Sequence, residues 1–168
     1  MKISNIKSIK LKLDYTSQNS NSWPFIMIKI NDQIVSRFQA NGSSWAGEFS
    51  IKLKKSNILK IEHYGKNYIT DQNPDKFFQL EKIYINEVDL KHHIHKLKQT
   101  AYLAPWDTDS PPESSLYLGH NGYLSLEFTS PVDDWIRSLF GVTTETMHGQ
   151  STTRKVLEET KEYFSITD

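Results

Sequence analysis

The chain has 168 residues, enough for one domain with its own core and a short extension, and a tight fit for two independent domains. Twenty Lys and Arg balance 20 Asp and Glu, so nothing supplies the counterion-release attraction of a nucleic-acid binder, and no nucleic-acid partner is expected. The absence of cysteine excludes disulfides, thiolate catalysis and Cys-ligated metal centres together, and no segment is apolar over the length of a membrane span, so no membrane partner is expected.

In chain order, the first signal is a period-two alternation: Ile9, Leu11 and Leu13 point one way and Lys10 and Lys12 the other, the pattern of a half-buried strand. Residues 25–30 are almost continuously apolar, and Asn31-Asp32 then supplies turn chemistry before residues 34–38, which predicts a hairpin. Further strands are expected around Phe49, Ile51 and Leu53 and over residues 58–63. Lysines on their outward faces read as solvated, edge-protecting charges. A polar loop covers residues 65–75, after which Phe78, Leu80, Ile83 and Ile85 resume strand spacing, with Asn86-Glu87 as the next turn.

The run 91–96 is expected as an exposed polar strand, on which His93 and His95 would share a face. A third metal ligand is missing there, and the flanking lysines would repel a cation. Three prolines make residues 104–115 a surface loop. Residues 116–118, Gly119-His120-Asn121-Gly122 and residues 123–128 then read as a hairpin whose Asn-Gly supplies positive φ.

Next the period becomes helical. Ser130 is placed as the N-cap, Pro131 as the first helical residue, and Asp133 and Asp134 at the positive end of the dipole. Val132, Trp135, Ile136, Leu139 and Phe140 form one apolar face, and Gly141 is a stop signal. Residues 142–150 read as a linker, and residues 152–164 as a second helix with Val156, Leu157, Thr160 and Phe164 along one side. So short a helix needs a surface to dock on, either its own domain or a partner chain. The expected fold is therefore all-β: an antiparallel, jelly-roll-like β-sandwich over residues 1–141, with a short helix and a C-terminal helical extension over residues 142–168.

Little in the sequence points to catalysis. No Gly-x-Ser-x-Gly elbow occurs, and Glu81 and Glu87 belong to a strand and its turn, where surface charge explains them. The chain is expected not to be an enzyme. Asp71-x-Asn73-x-Asp75 has the spacing with which calcium loops begin, but Lys76 stands where an EF-hand needs glycine and Lys82 where it needs glutamate. A different calcium geometry at Asp71, Asn73 and Asp75 stays open beside a hydrophilic loop held by Asx turns, and no other cofactor is expected. Of the four tryptophans, Trp135 and Trp45 are assigned to the core. Trp23 and Trp106 sit beside prolines in loops. With Tyr64 and Tyr68 they are the candidates for contact with a glycan or a partner, the alternative being that they close over the core as lids.

Two stretches carry family resemblances. Ile26-Met27-Ile28-Lys29-Ile30-Asn31-Asp32-Gln33, Glu48-Phe49-Ser50-Ile51, Asp75-Lys76-Phe77-Phe78-Gln79-Leu80 and Ile83-Tyr84-Ile85-Asn86 resemble calcium-dependent xylan-binding carbohydrate-binding modules. Asp75 matches their second acidic position, while His63-Tyr64 stands where their Asn-Asp belongs. That resemblance implies a jelly-roll sandwich, glycan binding and calcium. Tyr117-Leu118-Gly119-His120-Asn121-Gly122-Tyr123-Leu124-Ser125-Leu126-Glu127-Phe128, continuing through Pro131 to Trp135-Ile136, resembles virion-associated β-sandwich proteins of tailed phages. It implies a non-enzymatic structural or decorating protein of the virion, attached to other virion proteins and to further copies of itself partly through the C-terminal extension. The alternative is a glycan-binding module serving host adsorption or polysaccharide binding.

Overall fold

The computed structural model describes residues 6–72 and 74–141. Asn73 and the expected extension, including Val156, Leu157, Thr160 and Phe164, lie outside the described residues. Among those described, ten strands form two five-stranded antiparallel sheets. The first sheet has the order β4 (Ser44–Lys52), β1 (Ile6–Gln18), β6 (Phe77–Ile85) and β7 (Val88–Asp89), with β9 (Tyr117–Leu118) also paired to β6. The second has the order β3 (Gln33–Gln39), β2 (Phe25–Ile30), β5 (Ser56–Tyr64), β10 (Asn121–Thr129) and β8 (Lys98–Tyr102).

The alternation read from the sequence is the mechanism of the core. Ile9, Leu11 and Leu13 of β1, Ile26, Ile28 and Ile30 of β2, and Leu124 and Leu126 of β10 are all buried between the sheets. Each such side chain contributes about 1.5–3 kcal/mol by leaving water. On β6 the inward residues Phe78, Leu80, Ile83 and Ile85 are out of strict period. The register against β1 shifts between Asp14 and Tyr15, which pair with Lys82 and Leu80, leaving Glu81 as the extra residue of a bulge. That bulge lets one continuous strand keep both apolar pairs on the core side. Asn31-Asp32 and Asn86-Glu87 both have positive φ at their two residues, the backbone of tight hairpin turns, as the sequence predicts.

Several expectations are corrected. Lys91–Lys96 is a 3-10 helix instead of a strand; the His93 and His95 rings still lie 6.2 Å apart, and His93 packs edge-on against Phe140 with ring centroids 5.3 Å apart. Residues 116–128 do not form a hairpin. Leu118 of β9 pairs with Phe78 in the first sheet, while β10 runs between β5 and β8 in the second, and Gly119-His120 carries the chain across. Gly122 is needed for close approach, because a Cβ there would lie 2.3 Å from the Thr100 carbonyl oxygen. Trp45 lies within edge strand β4 and is half-buried, stacked on Phe38 at 4.8 Å, since an edge position leaves one flank of the ring open.

The helix, α1 (Val132–Leu139), forms where expected, but its N-cap is Pro131. The Ser130 hydroxyl is taken by the Lys54 carbonyl at 2.6 Å and does not cap. Val132 and Ile136 bury the helix against the sandwich, and Trp135 is only half-buried beside Phe128. Gly141, at φ +72, ends it as predicted.

Candidate functional site

The strands deliver three connections to one end of the sandwich: residues 65–76 between β5 and β6, residues 103–116 between β8 and β9, and the crossing at Gly119-His120. An open cleft of about 460 Å³ lies between them, lined by Lys66, Tyr68, Asp75, Asp107, Tyr117 and His120 among others. Trp106 stands at its rim, 54% exposed, with its ring edge-on to Tyr68 at 6.5 Å.

Each wall is fixed by hydrogen bonds. Asn121 uses its side chain as a mock strand: its Oδ1 accepts the Lys66 amide and its Nδ2 donates to the Lys66 carbonyl, both at 2.9 Å. Tyr68 Oη accepts the Asn121 amide at 2.9 Å and donates to the Tyr102 carbonyl, so the ring is held upright between two strands. Burial pushes its hydroxyl pKa up. Tyr117 donates to Asp75 Oδ2 at 2.7 Å, and burial together with that carboxylate holds its hydroxyl well above the usual phenol range. His120 Nε2 lies 3.0 Å from Asp107 Oδ2, which orients a carboxylate at the cleft wall.

The expected contact residues divide. Tyr68 and Trp106 come together here, and Asp75 joins them. Trp23 is half-buried in the connection between β1 and β2, and Tyr64 is half-buried at the end of β5 with its ring 5.8 Å from Phe25; neither lines the cleft. Lys66, Asp107, Tyr117 and His120 were not legible as site residues. Their one sequence signal is a position beside a turn or a proline-rich loop, which many surface residues share.

Chemically, the arrangement can bind a polar ligand. Aromatic edges and faces sit beside carboxylates and a carboxamide, the combination that stacks on sugar C–H surfaces and accepts from hydroxyls. A second depression, about 490 Å³, lies on the outer face of the first sheet, but ion-paired and lysine-covered strands line it, with Lys10 3.4 Å from Glu87 and Lys12 over Tyr84.

The fold is similar to that of carbohydrate-binding modules. A solved structure described as vCBM60 in complex with galactobiose aligns over 71% of this chain and 97% of its own, with 14% identity and a TM-score of 0.50. The selenomethionine form of vCBM60, described in connection with a circular permutation linking two families of calcium-dependent carbohydrate-binding modules, aligns over 70% and 89%, with 11% identity and a TM-score of 0.51. At these identities the likeness is one of fold. No protein-family model matches the chain, and no curated protein does.

Calcium takes six to eight oxygen donors converging on one point. Asp71 and Asp75 do not offer that here. Asp71 is buried, accepts the Asn67 amide on Oδ2 at 2.9 Å and Asn21 Nδ2 on Oδ1 at 3.2 Å, and lies 3.1 Å from Lys76 Nζ. Burial alone would raise its pKa; the Asn67, Lys76 and Asn21 donors outweigh that and hold it below the usual carboxylate range. Asp75 is shared between Lys66 Nζ and Tyr117 Oη. Among the described residues no group of three or more His, Cys, Asp or Glu is placed to hold a metal. As arranged, these donors do not fit a calcium ion.

Proposed function

We propose that the chain is a non-catalytic glycan-binding module whose contact surface is the cleft formed by residues 65–76, 103–116 and 119–120. The observation that carries the reading is the exposed Trp106 packed on the tethered Tyr68, beside the carboxylates of Asp75 and Asp107. A ligand that covers the exposed ring removes apolar surface from water, and rings with a few fixed polar groups are the usual lining of small-ligand sites. The fold supports the same reading, since one similar structure is described in complex with galactobiose.

A screen of the full chain against neutral oligosaccharides, galactobiose included, tests this. Saturable binding to at least one glycan is the expected result, and silence across a broad panel would overturn it. The virion-decorating expectation draws no support from the comparisons, and the segment meant to anchor it, residues 142–168, lies outside the described residues.

A further inference from the structure

The feature that the glycan reading leaves unexplained is a pair of buried lysines at the loop that forms the cleft. The side chains of Lys66 and Lys76 are 4% and 3% exposed. An ammonium is rarely taken so far from water, because its desolvation must be offset by good geometry with an opposite charge.

Both lysines have that geometry. Lys66 Nζ donates to Asp75 Oδ1 and to the Gly119 carbonyl, each at 2.5 Å, and so ties residues 65–76 to the chain crossing that precedes β10. Lys76 Nζ donates to Ser22 Oγ at 2.9 Å and lies 3.1 Å from Asp71 Oδ2, tying the far end of the same loop to the connection between β1 and β2. A carboxylate, a carbonyl and a hydroxyl gathered from separate segments around a positive charge is the work that a bound divalent ion does in a loop. Here two covalently attached cations do it, one for each carboxylate, and the cluster is neutral before any ion arrives. A divalent ion entering would meet two ammonium groups at close range and would have to displace both.

We propose that Lys66 and Lys76 stand in for a divalent cation at this end of the sandwich, so that Asp71 and Asp75 are held in place, and the cleft presented, without metal. This goes against what the calcium dependence of a similar structure would suggest for this chain. The presentation of the cleft rests on the glycan-binding reading; the tethering of Asp71 and Asp75 does not.

The test is thermal unfolding of the full chain, without sugar, in chelator and in calcium. The same Tm is expected in both. Lys66→Met, which strands Asp75 and the Gly119 carbonyl, is expected to lower Tm by roughly 4–8 °C whether or not calcium is present. A specific calcium site would raise the wild-type Tm by roughly 5–10 °C at about a hundred times its Kd, and that result would overturn the proposal. A Lys66→Met protein with the wild-type Tm would overturn it too. If Lys66→Met does not fold, the wild-type comparison still decides. Because no glycan enters the measurement, a failed sugar screen leaves this result untouched.

Discussion

Trp106→Ala is expected to weaken glycan binding by roughly 10- to 100-fold while leaving the unfolding transition in place. The two halves of that expectation have separate physical causes. Trp106 is 54% exposed and its ring meets Tyr68 only edge-on at 6.5 Å, so its removal takes away little packing, about 0.5–1 kcal/mol. A large apolar ring that a ligand covers contributes about 1.5–3 kcal/mol by leaving water, and each 1.4 kcal/mol is a factor of about ten in Kd. Calorimetric titration of the variant with whichever glycan the wild type binds gives the first quantity, and urea unfolding gives the second. Trp23→Ala is the matched control, because Trp23 is half-buried in the connection between β1 and β2, whereas Trp106 packs on the cleft residue Tyr68. If Trp23→Ala abolishes binding and Trp106→Ala does not, the contact surface is elsewhere.

Acid is expected to destabilise the fold by about 3 kcal/mol between neutral pH and about pH 4, and His63 is the cause. It is fully buried on β5, its Nδ1 3.1 Å from the Leu118 carbonyl. Burial pushes its pKa from 6.5 down to about 4; the Leu118 carbonyl pulls the other way, and Lys66 and Lys76 add repulsion. The folded pKa is depressed, so the folded state favours the neutral ring. The stabilisation is complete above the unfolded value of 6.5 and is lost as pH falls toward 4. Asp71, whose folded pKa is also lowered, acts in a different window: its contribution is present above 3.8 and lost only as pH falls below that value. Urea unfolding across pH 7 to about 4 follows the first window, in which His93, its pKa also lowered by burial, titrates beside His63. His63→Gln should flatten the curve there while lowering stability at pH 7. An unchanged slope in that variant would show that another group titrates.

Much of the sandwich was legible because its signals are local. Alternation in Ile9, Leu11 and Leu13 needs only neighbours in sequence, and the Asn31-Asp32 and Asn86-Glu87 turns carry their own backbone chemistry. The errors arose where a distant partner decided. Asn121-Gly122 has the composition of a tight turn, yet Asn121 is committed to Lys66, and Leu118 to Phe78 across the sheet. Lys91–Lys96 is polar enough for an exposed strand, yet it forms a 3-10 turn in which His93 meets Phe140, 47 residues away in sequence. The site divides in the same way. Trp106 stood out because prolines beside it exclude a central strand, and Tyr68 because it lies in a polar loop. Lys66 could not be found, since its partners Asp75 and Gly119 are 9 and 53 residues away and nothing in the spacing brings the three together. Read as sequence, Asp71 and Asp75 suggest a metal loop; the lysines that answer them appear only in the fold.

The most direct test of the glycan site is the pattern of amide and side-chain chemical-shift changes when a bound oligosaccharide is titrated into labelled protein. The account predicts that the largest changes fall on the Trp106 indole, Tyr68, Asp107 and His120. Changes centred instead on Lys12, Ala46 and Tyr84, the outer face of the first sheet, would contradict it.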